Sequence, residues 1–152
     1  MKINFITNYF KNFIMKSNIF TKSNVEFHEY NMHLYVENTI QINIPKIINY
    51  NPITKTMQME KIHGMSVADF YGESFDSVPN WVIGQIRQIV STLKSANIIY
   101  PDITGYNFII GPNDKIYIID FEHARFWFSS DNSNEFVDQF IGGAKSWNPD
   151  FV

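Results

Sequence analysis

Tyr100-Pro101-Asp102-Ile103-Thr104-Gly105-Tyr106-Asn107-Phe108-Ile109-Ile110 is followed by Gly111-Pro112-Asn113-Asp114 and, after Lys115, by Ile116-Tyr117-Ile118-Ile119-Asp120-Phe121-Glu122. Two apolar, β-rich runs flank a turn, which predicts a β-hairpin. Asn107 begins one strand and Asp120 ends the other. A hairpin brings its open ends together, so the two polar side chains converge. Asp102 lies five residues before Asn107, on a loop facing the same cleft. Directly upstream, Pro79 to Ala96 predicts a helix, because Val82, Ile86, Ile89, Val90 and Leu93 recur at helical spacing on one face. Helix, loop and hairpin in this order predict an α+β fold.

Three converging oxygen donors have a chemistry. Transfer of a phosphoryl group from ATP needs one carboxylate beside the accepting hydroxyl, and an Asn and a second carboxylate to hold Mg²⁺. Mg²⁺ takes one or two oxygens from protein and the rest from phosphates and water. In these residues the chain resembles the protein-kinase-like superfamily, whose catalytic loop has the form His-x-Asp-x-x-x-x-Asn and whose metal motif is Asp-Phe-Gly. The resemblance implies a truncated two-lobed kinase-like fold over residues 1–152. Residues 1–62 would be a small β-rich N-lobe with a hinge near 59–64, and 65–152 a short, mainly helical C-lobe carrying the catalytic hairpin. It implies ATP and Mg²⁺ as cofactors. Asp102 would be the catalytic carboxylate, and Asn107 and Asp120 the metal ligands. The acceptor would be a hydroxyl of a protein Ser/Thr or of a small molecule. Asp120-Phe121-Glu122-His123-Ala124 also looks like the Asp-Phe-Glu-Tyr-Ala of choline and ethanolamine kinases, which phosphorylate small-molecule hydroxyls.

The remaining elements follow from local patterns. Ile3 to Thr7 and Asn12 to Lys16 read as strands, and residues 24–37 as a helix. Ser23 or Asn24 would cap that helix, with Phe27, Tyr30, Met32 and Leu34 as its apolar face. Pro45 to Tyr50 and Thr56 to Ile62 read as strands around the Asn51-Pro52 turn, and His63-Gly64 breaks the chain. Residues 66–71 predict one helical turn, and Asn134 to Lys145 a short terminal helix. By resemblance, Met59-Glu60-Lys61-Ile62 is the hinge that meets adenine. The lysine that holds the ATP phosphates would lie on the strand before the first helix and pair with a helix Glu. Lys16 with Glu29 is the favoured pair, and Lys22 is the alternative lysine.

Several positions depart from the family pattern. No glycine precedes Gly64, so the glycine-rich loop over the phosphates is absent. Tyr100-Pro101 replaces His-Arg, which removes the Arg that would receive an activation-loop phosphate. Thr104 stands where protein Ser/Thr kinases usually carry a Lys, Glu122 replaces the Gly of Asp-Phe-Gly, and no Ala-Pro-Glu follows. These losses leave a second reading open: a pseudokinase that binds nucleotide or a partner without turnover. His28-Glu29 does not open a zinc-protease motif. The next histidine, His33, is five residues on rather than four, and so lies off the first one's helical face.

The 152 residues are 45% apolar and 16% aromatic, enough to bury roughly two-thirds of the unfolded surface in one domain. A net charge of −3 argues against a general binder of nucleic acid or anionic membranes. There is no cysteine, hence no disulfide framework or thiolate metal site. No apolar run has the length of a membrane span, and the start lacks the unbroken apolar stretch of a signal peptide. An intracellular, cytoplasmic address is the expectation.

Overall fold

The computed structural model describes residues 18–128 and 134–152. The expected strands Ile3 to Thr7 and Asn12 to Lys16 lie outside them. Within them the chain is mixed α+β, with small sheets and four α-helices. Strands β1 (Ile19–Lys22), β2 (Ile47–Asn51) and β3 (Thr56–Glu60) form an antiparallel sheet in the order β1-β3-β2. Helix α1 (Phe27–Thr39) follows β1. Then come β4 (Met65–Ser66), the short α2 (Val67–Tyr71) and the long α3 (Asn80–Ser95). The remaining elements are β5 (Ile98–Ile99), β6 (Phe108–Ile110), β7 (Ile116–Ile118), β8 (Arg125–Phe126) and α4 (Glu135–Ile141).

The hairpin β6–β7 forms in the expected place, with Phe108 opposite Ile118 and Ile110 opposite Ile116. Asn113 and Asp114 both take left-handed φ values, 57° and 56°, a conformation in which Asn and Asp are several-fold enriched. Strand β4 adds to the β6 edge. Helix α3 buries Val82, Ile83, Ile86, Ile89, Val90 and Leu93, each contributing roughly 1.5–3 kcal/mol on leaving water. They pack in one cluster with Tyr100, Phe108, Phe121, Phe140 and Trp147. Gln85 of α3 clamps the hairpin by bonding the Asp114 carbonyl and the Ile116 N–H. Arg87 bonds the carbonyls of Phe140 and Ala144, fixing α4 to α3.

A smaller apolar cluster of Val25, Met57 and Met59, flanked by Tyr30, Ile47 and Tyr50, holds the first sheet. The Tyr30 and Tyr50 rings stack at 4.2 Å, and the Tyr50 hydroxyl donates to the Val25 carbonyl. Helix α1 joins the two clusters, since Met32 and Val36 belong to the larger one.

Helix α1 differs from its expected form. It begins at Phe27, with no side-chain cap from Ser23 or Asn24. Phe27 is 62% exposed, and the buried face is Glu29, Met32, His33 and Val36. Two polar residues thus share the core face, each with a partner. His33 Nε2 donates to the Pro45 carbonyl at 2.7 Å, and burial lowers its pKa. His28 Nε2 bonds the Ala124 carbonyl at 2.8 Å. Both imidazoles serve as tethers for the helix.

Gly64 breaks the chain for a reason of space. A Cβ there would sit 1.9 Å from the Ile110 carbonyl oxygen, so only glycine lets β4 approach β6. Gly64→Ala is expected to lower stability by at least about 1–3 kcal/mol, the usual cost of overpacking. Urea denaturation checks this, and an unchanged midpoint would contradict it.

Candidate functional site

The site is built around one lysine. Lys22, at the end of β1, places Nζ 2.5 Å from Glu29 Oε1 and 3.0 Å from Asp120 Oδ1. The Glu29 side chain is only 3% exposed. Burial raises the Glu29 pKa, the Lys22 ammonium opposes that rise, and Asp120 and Glu122 add to it. Burial by itself would lower Lys22; the bond to Glu29 and the charge of Asp120 outweigh it and hold the ammonium above its ordinary value. The three residues come from a strand, a helix and the turn after the hairpin, so the bridge ties the first sheet to the hairpin.

Asp120 leaves β7 with φ of +63°. That left-handed conformation is uncommon for a residue with a Cβ and is best tolerated by Asn and Asp. It turns the chain sharply, and Asp120 Oδ1 accepts from the Glu122 N–H. The neighbouring Ile119 N–H donates to the Asn107 carbonyl at 3.0 Å, which closes the open end of the hairpin. Asn107 is buried and donates its side-chain N–H to the Asp102 carbonyl at 3.0 Å. This leaves the amide oxygen as its acceptor.

Asp102 lies on the loop before. Burial raises its carboxyl above the ordinary value and Asp120 adds to the effect, whereas Asn107 and His123 oppose it. His123 Nδ1 is 3.4 Å from Asp102 Oδ2. Tyr100 is fully buried and donates its hydroxyl to the Ile119 carbonyl at 2.6 Å. Burial above all, with the nearby carboxylates, pushes that phenol well above its usual pKa. It therefore stays a protonated donor that holds the Asp102 loop against the Asp120 turn.

Beside these residues is a cavity of about 250 Å³ lined by Phe20, Pro45, Met59, Glu60, Lys61, Ile62, Gly64, Ile109 and Ile119. Its walls are mostly apolar. Met59 to Ile62 form one side, anchored where the Lys61 N–H donates to the Asn18 carbonyl.

The structure brings Glu29, Asp102, Asn107 and Asp120 into one neighbourhood and sets Met59, Glu60, Lys61 and Ile62 around the adjoining cavity. Lys16 lies outside the described residues. The lysine bonded to Glu29 is Lys22, the alternative in the sequence reading. Three participants carry little sequence signal. Strand β1 was not expected, because its four residues are mostly exposed and do not alternate. Tyr100 read only as a departure from a motif, and His123 only as one residue of the Asp120-Phe121-Glu122-His123-Ala124 string. Among the described residues, no group of three or more His, Cys, Asp or Glu side chains could hold a metal ion. Compared with models of known protein families and with curated proteins, the chain matches none.

Removing one member of the buried pair leaves the other uncompensated. Lys22→Met is expected to cost about 3 kcal/mol, the low end of the range for buried pairs, because Lys22 is one-quarter exposed. Adding Glu29→Gln should recover part of the loss, and a denaturation double-mutant cycle measures that coupling. Simple additivity would show that the pair does not act as a unit. The pH dependence has a definite sign. Lys22 is raised above 10.5 on folding, so while Glu29 is ionised the lysine's contribution is complete below that pH and is lost as pH climbs through the folded value.

Proposed function

We propose that this chain is an ATP- and Mg²⁺-dependent phosphotransferase with a reduced, two-lobed protein-kinase-like fold. The observation that carries the reading is the bridge from Lys22 to both Glu29 and Asp120, next to Asn107 and Asp102. A lysine presented by a strand, steadied by a helix glutamate and set beside a metal-type aspartate is the set of groups that phosphoryl transfer uses.

Adenine would occupy the cavity at Met59–Ile62, with the triphosphate running toward Lys22. Asp120 and the amide oxygen of Asn107 fit Mg²⁺, which requires only one or two protein oxygens when phosphates and water supply the rest. When bound, the ion would neutralise charge on the phosphates. Lys22 would exchange one of its carboxylate contacts for phosphate oxygen while Glu29 holds it in place. Asp102 would orient the acceptor hydroxyl and take its proton as the acceptor oxygen bonds to the γ-phosphorus and the bond from that phosphorus to the β–γ bridging oxygen breaks, with ADP as the leaving group. Burial raises the Asp102 carboxyl above the ordinary value, the direction that strengthens a general base.

A second reading, a pseudokinase that binds nucleotide or a partner without turnover, is favoured by one observation: no glycine occurs before Gly64. The glycine-built cradle of backbone N–H groups that would hold phosphates has no counterpart in that stretch of sequence, and on this reading charge neutralisation falls on Lys22 and the metal ligands.

Calorimetry with ATP separates these readings from no nucleotide binding at all. Binding is expected to be weak and strongly Mg²⁺-dependent, and Asp120→Ala should remove that dependence. Equal binding in EDTA would refute the metal assignment. A γ-phosphate transfer assay then separates enzyme from pseudokinase. Asp102→Asn should lower transfer by roughly 10²–10⁴-fold, the size of a general-base contribution, with nucleotide affinity retained. An undiminished rate in that variant would remove Asp102 from the mechanism.

A further inference from the structure

Residues 147–151 carry no expected element, yet they pack against the loop that bears Asp102. Trp147 donates its indole N–H to the Glu73 carbonyl at 3.1 Å, and the Phe151 ring meets His123 edge-on with centroids 5.0 Å apart. Between them Asn148 is 1% exposed, an unusual depth for a neutral polar side chain in a segment without regular structure.

Its bonds are specific. Asn148 Nδ2 donates to the Pro101 carbonyl at 2.7 Å, and its backbone N–H donates to the Ile103 carbonyl at 3.0 Å. These are the residues immediately before and after Asp102. Asn148 Oδ1 accepts from the Asp150 N–H at 3.1 Å, and its carbonyl accepts from the Phe151 N–H. The amide thus grips the loop with its donor and fixes its own segment with its acceptor. The loop's internal bonds, Ile103 N–H to Pro101 carbonyl and Thr104 N–H to Asp102 carbonyl, close only short rings. They do not by themselves fix the loop against the rest of the molecule.

We infer that Asn148 is a positioning residue for Asp102, holding the carbonyls of the residues on either side of that carboxylate so that it meets the acceptor hydroxyl in a single orientation. This assignment rests on the phosphotransferase reading for its catalytic consequence. The clamp itself can be measured without turnover.

The test uses the whole chain with Asn148→Asp and Asn148→Ser. The Asp variant keeps size, the Oδ1 acceptor and the backbone bonds, replaces the donor facing the Pro101 carbonyl with an oxygen and adds a negative charge. The Ser variant shortens the side chain without adding charge. Amide hydrogen exchange should quicken at Ile103 and Thr104 in both variants, with the amides of Val82 to Leu93 in α3 unchanged. Where the wild type transfers phosphate, kcat should fall by about 10²-fold, the scale of a small misplacement of a catalytic group, with KM for MgATP unchanged. Unaltered exchange at Ile103 and Thr104 would overturn the inference. So would an equal loss of protection across α3, or a wild-type kcat in both variants. A wild type that transfers no phosphate would refute the phosphotransferase reading alone, and the exchange result would still decide the clamp.

Discussion

A carboxylate buried on the core face of a helix is costly unless a cation meets it. Glu29 is in that position, and Lys22 is the cation. Because the lysine is the last residue of β1 and also contacts Asp120, one electrostatic requirement fixes the relation of three elements. The first sheet cannot slide along α1 without stranding the carboxylate. The turn after β7 cannot swing away without removing the lysine's second counter-charge. Tyr100 and Asn107 extend the same arrangement through neutral hydrogen bonds, joining the loop at 100–107 to the residues around Asp120.

The helix that carries Glu29 is itself held by polar contacts. His28 reaches the carbonyl of Ala124, His33 the carbonyl of Pro45, and the His33 ring lies edge-on to Phe121 at 5.3 Å. Half of the buried face of this helix is polar, so its position depends on directional bonds as well as on the packing of Met32 and Val36. Such bonds are specific in angle as well as distance, which suits a helix whose glutamate must meet one particular lysine.

How much was legible follows from this division. The hairpin and α3 could be read from sequence because their information is local: alternation around a turn in one case, a run of aliphatics at helical spacing in the other. Asp102, Asn107 and Asp120 could be placed together because a hairpin fixes the relation of its ends. Helix α1 was misjudged in its face, since Glu29 and His33 occupy positions where periodicity looks for apolar residues, and Phe27 points outward. Strand β1 was missed because four largely exposed residues carry no period, so Lys22 ranked behind Lys16. Asn148 left no trace at all. Its partners are main-chain carbonyls more than forty positions away, and backbone groups are the same in every residue.

The left-handed backbone at Asp120 has a consequence for how this protein can change over time. A φ of +63° restricts the position to Gly, Asn or Asp at small cost. The residue is therefore chosen twice, by its dihedral and by its charge. Asparagine satisfies the first demand and not the second. On the phosphotransferase reading, a single exchange of carboxylate for amide would leave the turn intact while stripping the site of its metal-binding charge. On that reading, catalyst and binding module would differ at this position by one side chain on the same turn.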